Sequence, residues 1–264
     1  MTDPVAPRIA AALEAVQAEV PRLHEGFGRA RAELKYDGTR VTAVDIAISE
    51  AIQRAIGARF PEDQFFSEEL AVTEAPVPVT SRFCWVLDPI DGTNNYANGI
   101  IHVSISLALL EDGRPVYGVI YDMARRVTVH GGPGRGLWDG DEPARVRPEP
   151  PHTNSLVGFH SPVEKAFVPE AQRVIEAFKI RGLGSSALHL AYAAVGHLDG
   201  VVEHNNRLWD VAAAAALIEE GGGRIDYLTG NPFPLRAFWL KSPRVQYVAG
   251  NPAMVARLHE VLGR

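Results

Sequence analysis

The residues best placed to do chemistry are carboxylates that close apolar runs. Phe83-Cys84-Trp85-Val86-Leu87 leads into Asp88-Pro89-Ile90-Asp91-Gly92-Thr93, so two acids three positions apart end a stretch that wants burial. Like charges beside a core are costly unless something positive neutralises them. Glu68, with Glu69 beside it, follows the short apolar pair Phe65-Phe66, and Asp210 falls in the first turn of the alanine-rich segment Trp209 to Glu220. All of these offer oxygen. No histidine or cysteine pairs have transition-metal spacing and the EF-hand loop pattern is missing, which leaves a hard cation, magnesium or calcium. Magnesium takes a few carboxylates and completes its shell with water and phosphate oxygens. Two such ions can clamp the attacking and leaving oxygens of a phosphoryl transfer.

Gly92 and Thr93 suit the same chemistry. A turn that opens a helix after Asp91 presents free N–H groups to a phosphate oxygen, Gly92 permits close approach, and the Thr93 hydroxyl can position a water. Asp45 has two readings. With Thr42 it has the spacing of a capping box at a helix start, and it can also accept a proton from that water. Cys84, the single cysteine, reads as a buried strand residue, and no intrachain disulfide is possible. Gly131 to Gly136 lacks the P-loop spacing and reads as a turn between antiparallel strands.

The elements that must position these residues follow from periodicity. Asp3-Pro4 can start a helix whose face is Ile9, Leu13, Val16, Val20, Leu23 and Phe27, and Pro21 is expected to kink or divide it. Lys35 to Arg40 reads as a turn. Thr42 opens a helix with Ile48, Ile52 and Ile56 inward, and Thr73 to Thr80 reads as loop. Ile101 to Leu110 alternates as a half-buried strand, with His102 either a polar strand residue or a cleft residue, and Asp112-Gly113 turns it into Val116 to Tyr121. Glu142 to Pro151 carries four prolines and marks a boundary. Residues 1–145 are expected to form an α+β N-terminal half holding most of the acids, and 152–264 an α/β C-terminal half of alternating strands and helices.

At this point the residues resemble a known family. Asp88-Pro89-Ile90-Asp91-Gly92-Thr93, Glu68-Glu69 about twenty residues before it, Trp209-Asp210-Val211-Ala212-Ala213 far downstream and Ile218 to Gly223 together are similar to the inositol monophosphatase family. These are magnesium-dependent, lithium-sensitive phosphatases related to fructose-1,6-bisphosphatase. The resemblance implies a layered αβαβα α/β fold, usually a homodimer. Glu68, Asp88, the Ile90 carbonyl, Asp91 and Asp210 would hold two or three Mg2+ ions. Glu68 would also share in catalysis, Asp45 and Thr93 would activate the attacking water, and Asp91, Gly92 and Thr93 would meet the phosphate. Ser185 and Ser186 would contact substrate, and Glu203 would bond a sugar or inositol hydroxyl. Arg207 either reaches a second phosphate or faces solvent.

The expected activity is hydrolysis of inositol 1-phosphate or a related sugar or polyol phosphate. Fructose-1,6-bisphosphate, histidinol phosphate and bisphosphate nucleotides are the enzymic alternatives. A non-catalytic partner-binding protein that kept the fold is the rival from another class, set against the retention of all four acids and Thr93. The formal net charge of -6 gives no general attraction to nucleic acid or to an anionic membrane. Met1 to Val20 has no signal-peptide pattern and no run is long enough to span a bilayer, so a cytoplasmic protein is expected.

Overall fold

The computed structural model describes residues 3–34, 40–70, 73 and 75–264. The first part of the chain runs α1 (Ala6–Gly26), β1 (Ala32–Leu34), β2 (Arg40–Thr42), α2 (Ala43–Arg59), β3 (Gln64–Ser67), β4 (Val77–Pro78), β5 (Phe83–Asp91), α3 (Thr93–Asn98), β6 (Ser104–Glu111), β7 (Arg114–Asp122), β8 (Val127–Gly131), β9 (Leu137–Asp139) and β10 (Glu142–Pro143). The rest runs β11 (Leu156–Phe159), a short 3-10 turn, α4 (Val168–Ala177), β12 (Lys179–Arg181), α5 (Ser186–Ala194), β13 (Gly200–Asn206), α6 (Leu208–Glu220), β14 (Arg224–Tyr227), β15 (Ala237–Phe238), β16 (Val245–Gly250) and α7 (Pro252–Leu262).

A seven-stranded sheet has the order β10-β9-β8-β7-β6-β5-β3, and a five-stranded sheet has the order β12-β11-β13-β16-β14. Side-chain alternation sets the layers. On β5, Trp85 and Leu87 pack with Leu23, Ile48 and Ile52 of α1 and α2. The intervening Cys84 and Val86 pack on the other face, in the core that holds Leu188 of α5 and Ala213 and Leu217 of α6. The same core takes Val201 and Ala249 from the second sheet. Val202 and Val248, the next residue in one strand and the previous one in the other, join Val174 of α4 and Leu258 of α7 instead. The architecture is therefore helices, sheet, helices, sheet, helices. Helices α5 and α6 are the shared middle layer, and their alanines let the sheets come close: a Cβ at Gly118 of β7 would lie 2.1 Å from the Ala213 carbonyl oxygen.

Several local expectations change. Helix α1 begins at Ala6 with Pro7 in its first turn, while Asp3 Oδ1 accepts from Val5 N–H at 2.9 Å. Pro21 lies inside one unbroken helix, because buried Val16 and Leu23 anchor the turns on either side of it. Strand β6 starts only at Ser104 and is buried on both faces, since both neighbouring layers are helical; His102 lies in the preceding loop. Of the turn read at Lys35 to Arg40, residues 35–39 lie outside the described residues, as does residue 74 of the stretch read as loop. Within that stretch β4 pairs antiparallel with β15. The Gly131 to Gly136 segment does join antiparallel β8 and β9, and the Gly134 and Gly136 N–H groups donate to the Glu220 carboxylate at 2.7 and 2.9 Å. No helix among the described residues is long and apolar enough to cross a membrane.

Candidate metal and phosphate site

Two acids three apart on a regular strand point to opposite faces. Here they do not, because the register against β6 slips between them: Asp88 pairs with Ser106 and Asp91 with Ser104. Three steps on β5 match two on β6, which is a bulge. Pro89, which has no N–H to give the ladder, sits within it. The bulge turns both carboxylates to one side, where Asp210 meets them. Oxygens of Asp88, Asp91 and Asp210 lie within 4.8 Å of one another. Glu68, just past β3 and tied to β5 by its N–H to the Leu87 carbonyl at 3.2 Å, lines the same cleft with Ile90, Gly92 and Thr93.

The electrostatics of this cluster are unfavourable as they stand. Burial, then repulsion from Glu68, Asp91 and Asp210, holds the Asp88 carboxyl well above the usual carboxylate range. Burial and Asp91 do the same to Asp210. Asp91 is raised too, by burial, although hydrogen bonds oppose the rise. A cage of hard oxygens that repel one another fits a divalent cation, and the donor set suits magnesium.

Each acid is also fixed by the chain. Asp88 Oδ1 accepts from Ile90 N–H at 3.1 Å, and Asp210 Oδ2 accepts from Arg207 N–H at 2.7 Å, capping α6. Asp91 is gripped by the start of α5. Its Oδ2 accepts from the Ser185 hydroxyl at 2.5 Å and Ala187 N–H at 2.7 Å, and its Oδ1 from Ser186 N–H at 3.3 Å. These three donors lie 94 to 96 residues further along the chain.

Asp45 has both geometries that the sequence allowed. Its Oδ2 accepts from Thr42 N–H and Oγ1–H at 2.8 and 2.5 Å, closing the capping box of α2, while Oδ1 lies 3.3 Å from Thr93 Oγ1. The Thr93 hydroxyl lies 2.9 Å from the Ile90 carbonyl as well, so its one proton is shared between two acceptors. Gly92 adopts φ +95°, and a Cβ there would meet the His102 and Gly184 carbonyl oxygens at 3.0 and 3.1 Å. That is a backbone only glycine takes readily. The first N–H groups of α3 have no acceptor inside the helix.

Ser185, Ser186 and Glu203, expected to contact substrate, each have protein partners. Ser185 is buried and donates to Asp91, and the hydroxyl of part-buried Ser186 donates to Asn206 Oδ1 at 2.8 Å; Gly184 lines the cleft beside them. Glu203 is 0 % exposed and is not a cleft residue. Its Oε1 lies 2.7 Å from His189 Nδ1 and its Oε2 3.1 Å from His160 Nδ1. Since His189 Nε2 accepts from Leu183 N–H at 2.9 Å, the His189 proton is on Nδ1 and is donated to Glu203. Burial pushes the Glu203 carboxyl up, but the two histidines outweigh it and hold it below its ordinary value. The hydroxyl contact that the family resemblance implies for Glu203 meets a side chain with no exposed surface, enclosed by His160 and His189.

Arg40 and Arg244 line the cleft together with Arg207, and the first two carry no periodic or motif signal. His102 contributes its carbonyl, which accepts from Asn95 Nδ2 at 2.8 Å; the same nitrogen donates to Leu183 O at 2.7 Å. Cys84 is buried, and burial pushes its thiol up to about 12.

Comparison with known proteins places this geometry. The model of the inositol monophosphatase family matches residues 5–261. Inositol monophosphatase 1 of Sus scrofa is 29% identical over 205 residues, 74% of this chain and 73% of the relative. Nus factor SuhB of Xylella fastidiosa is 32% identical, covering 83% of this chain and 80% of its own. Among solved structures, the extragenic suppressor protein suhB from Bartonella henselae superposes with a TM-score of 0.86 at 25% identity, over 98% of this chain and 99% of that one.

Proposed function

Since the chain belongs to the inositol monophosphatase family, we propose that it is a Mg2+-dependent phosphate monoester hydrolase acting on inositol 1-phosphate or a related small sugar or polyol phosphate. The observation that carries this is the cluster of Asp88, Asp91 and Asp210, whose oxygens converge within 4.8 Å although burial raises all three and repulsion adds to it at Asp88 and Asp210.

Glu68, Asp88, Asp91, Asp210 and the Ile90 carbonyl are the residues that would hold magnesium. When bound, the metal supplies positive charge at the phosphate and lowers the pKa of water. The chain's own residues do the rest. The N–H groups of Gly92 and Thr93 orient the phosphate. The Thr93 hydroxyl stands between Asp45 and the Ile90 carbonyl, so a proton leaving the attacking water can pass through Thr93 to Asp45 Oδ1. Ser185, Ser186 and Ala187 hold Asp91 in the geometry the cage needs. Lithium inhibition and a homodimer in solution belong to the same reading.

Relatives named Nus factor SuhB support a second reading, a binding role in which catalysis is dispensable. One experiment separates the two. Purified chain is assayed for phosphate release from inositol 1-phosphate, β-glycerophosphate and an aryl phosphate, with magnesium and with EDTA. Release that needs magnesium supports the enzyme; none from any ester removes it.

A further inference from the structure

Strand β6 pairs with β5 beside the acid cage, and alternation divides its side chains between two cores. Ile105, Leu107 and Leu109 pack with helices α1 and α2. Ala108 and Leu110 pack on the other face, with α5 and α6. Ser104 and Ser106 continue that second face at period two. The two serines differ in their partners. Ser104 Oγ donates to Asp91 Oδ2 at 3.5 Å and stands 3.3 Å from Ser185 Oγ. Ser106 is 1 % exposed, and its hydroxyl has no hydrogen-bond partner.

A buried hydroxyl without a partner gives up its bonds to water and regains nothing. An alanine avoids that cost, and Ala108 occupies the next position on the same face. What a hydroxyl is for at this position depends on what stands beside it. Ser106 is the cross-strand partner of Asp88, in the last regular pair before the bulge. Directly opposite residues of an antiparallel pair share a face, with Cβ atoms about 4.5–5.5 Å apart. Rotation about χ1 swings a serine hydroxyl between staggered positions without moving the backbone. The aspartates of the cage are not equally served by donors. Asp91 accepts from Ser104, Ser185, Ser186 and Ala187. Asp88 accepts at Oδ1 from Ile90 N–H, a donor within its own bulge. A carboxylate that ligates a cation keeps lone pairs for a further donor, and such a donor fixes the ligand's orientation and strengthens the site.

We propose that Ser106 is a positioning residue of the cage, whose hydroxyl donates to the Asp88 carboxylate when the cage holds magnesium. This rests on the magnesium-dependent reading above and adds to it a residue that touches neither metal nor substrate. Stability forgone in the empty protein returns as metal affinity. A serine kept only for packing has the opposite signature: its loss destabilises the empty protein and leaves metal binding alone.

The test compares Ser106→Ala and Ser106→Cys with the parent, each as the full chain, by calorimetric titration with magnesium chloride and by thermal melts in EDTA. Alanine removes the hydroxyl, whereas cysteine keeps its volume but is a weak donor. Both variants should bind magnesium about tenfold more weakly than the parent, the lower end of the range for a group that orients a metal ligand. In EDTA, Ser106→Ala should melt at or above the parent's temperature. Parental magnesium affinity in both variants overturns the proposal. So does a melting temperature in EDTA that falls in both, since the hydroxyl would then be bonded in the empty protein. A fall in Ser106→Ala alone reports lost volume, and the magnesium affinity of Ser106→Cys then decides. A parent chain that takes up no magnesium at millimolar concentration defeats the magnesium-dependent reading itself, and Ser106 with it. Magnesium bound equally by parent and variants defeats only the role of Ser106.

Discussion

A buried cluster of acids and a buried single acid both bond to residues at or in helix α5, and they have opposite electrostatics. At the bulge of β5, Asp88, Asp91 and Asp210 face one another and every one of them is raised. On β13, Glu203 is as deeply buried, yet it is lowered, because His189 and His160 stand against its two oxygens. Burial alone therefore does not distinguish a site from a scaffold. What distinguishes them is whether the chain sets its own polar side chains against the carboxylate or sets other carboxylates there. The first group is built to receive a cation, and the second ties α5 to β13 beneath it.

The contrast can be broken most severely through activity. Asp210→Asn removes one charge from the cage and should lower kcat by at least about 10³-fold, the loss of several kcal/mol of charge stabilisation, while the protein stays folded. Phosphate release near the parent rate would remove Asp210 from the metal ligands.

Glu203→Gln should act on stability instead. Exchanging the charge-assisted hydrogen bond from His189 for a neutral one costs about 1.5–3 kcal/mol, read as a lower denaturation midpoint, with relative rates on different substrates little changed. A shift in substrate preference at parental stability would restore Glu203 as a ligand contact. The same group sets a pH dependence. Its folded value lies below its ordinary one, so its stabilisation is complete above the ordinary glutamate range and is lost as pH falls through the folded value. The parent should lose this contribution on acidification and Glu203→Gln should not, which urea titrations at several pH values would show.

Magnesium is an effect of similar size. Binding only the native state, it should add about 2.7 kcal/mol at a hundredfold excess over its dissociation constant, seen as a rise in Tm of about 2–4 °C per kcal/mol for a chain of this size. Without metal, Asp88→Asn should raise Tm, since it removes a repelled charge, and it should blunt the magnesium response. A lower Tm in EDTA would mean that the cage is already neutralised from within. The smallest effect is expected of Ser186→Ala, about 1 kcal/mol for one hydrogen bond to Asn206, measured by the same melts.

The layered fold was legible because periodicity survives in β5 and α2, and the acids were legible because a carboxylate at the end of an apolar run is conspicuous. The capping reading of Asp45 was in the spacing, its place beside Thr93 came from the family resemblance, and both geometries coexist. What the spacing could not reveal depends on tertiary packing. Periodicity along one strand does not show that a bulge brings Asp88 and Asp91 to one face, because register belongs to the pair of strands. Ser185 at a helix start is a visible cap, but nothing local says that its hydroxyl reaches Asp91. Glu203 looked like a cleft residue by its distance from Asp210, and the histidines that enclose it arrive from β11 and α5. Arg40 and Arg244 carry no pattern at all until the chain is folded around them.

The grip of α5 on Asp91 has a mechanical consequence. Asp91 belongs to the seven-stranded sheet, where Ser104 of β6 donates to it at 3.5 Å, and its three other donors come from the start of α5. A rocking motion that parts the sheets would strip those donors from a carboxylate facing like charges. The joint therefore stiffens against opening at its own centre. The Ala187 amide should accordingly exchange its hydrogen slowly, at a rate that follows global unfolding rather than local breathing, although it sits in the first turn of a helix where amides usually exchange fast.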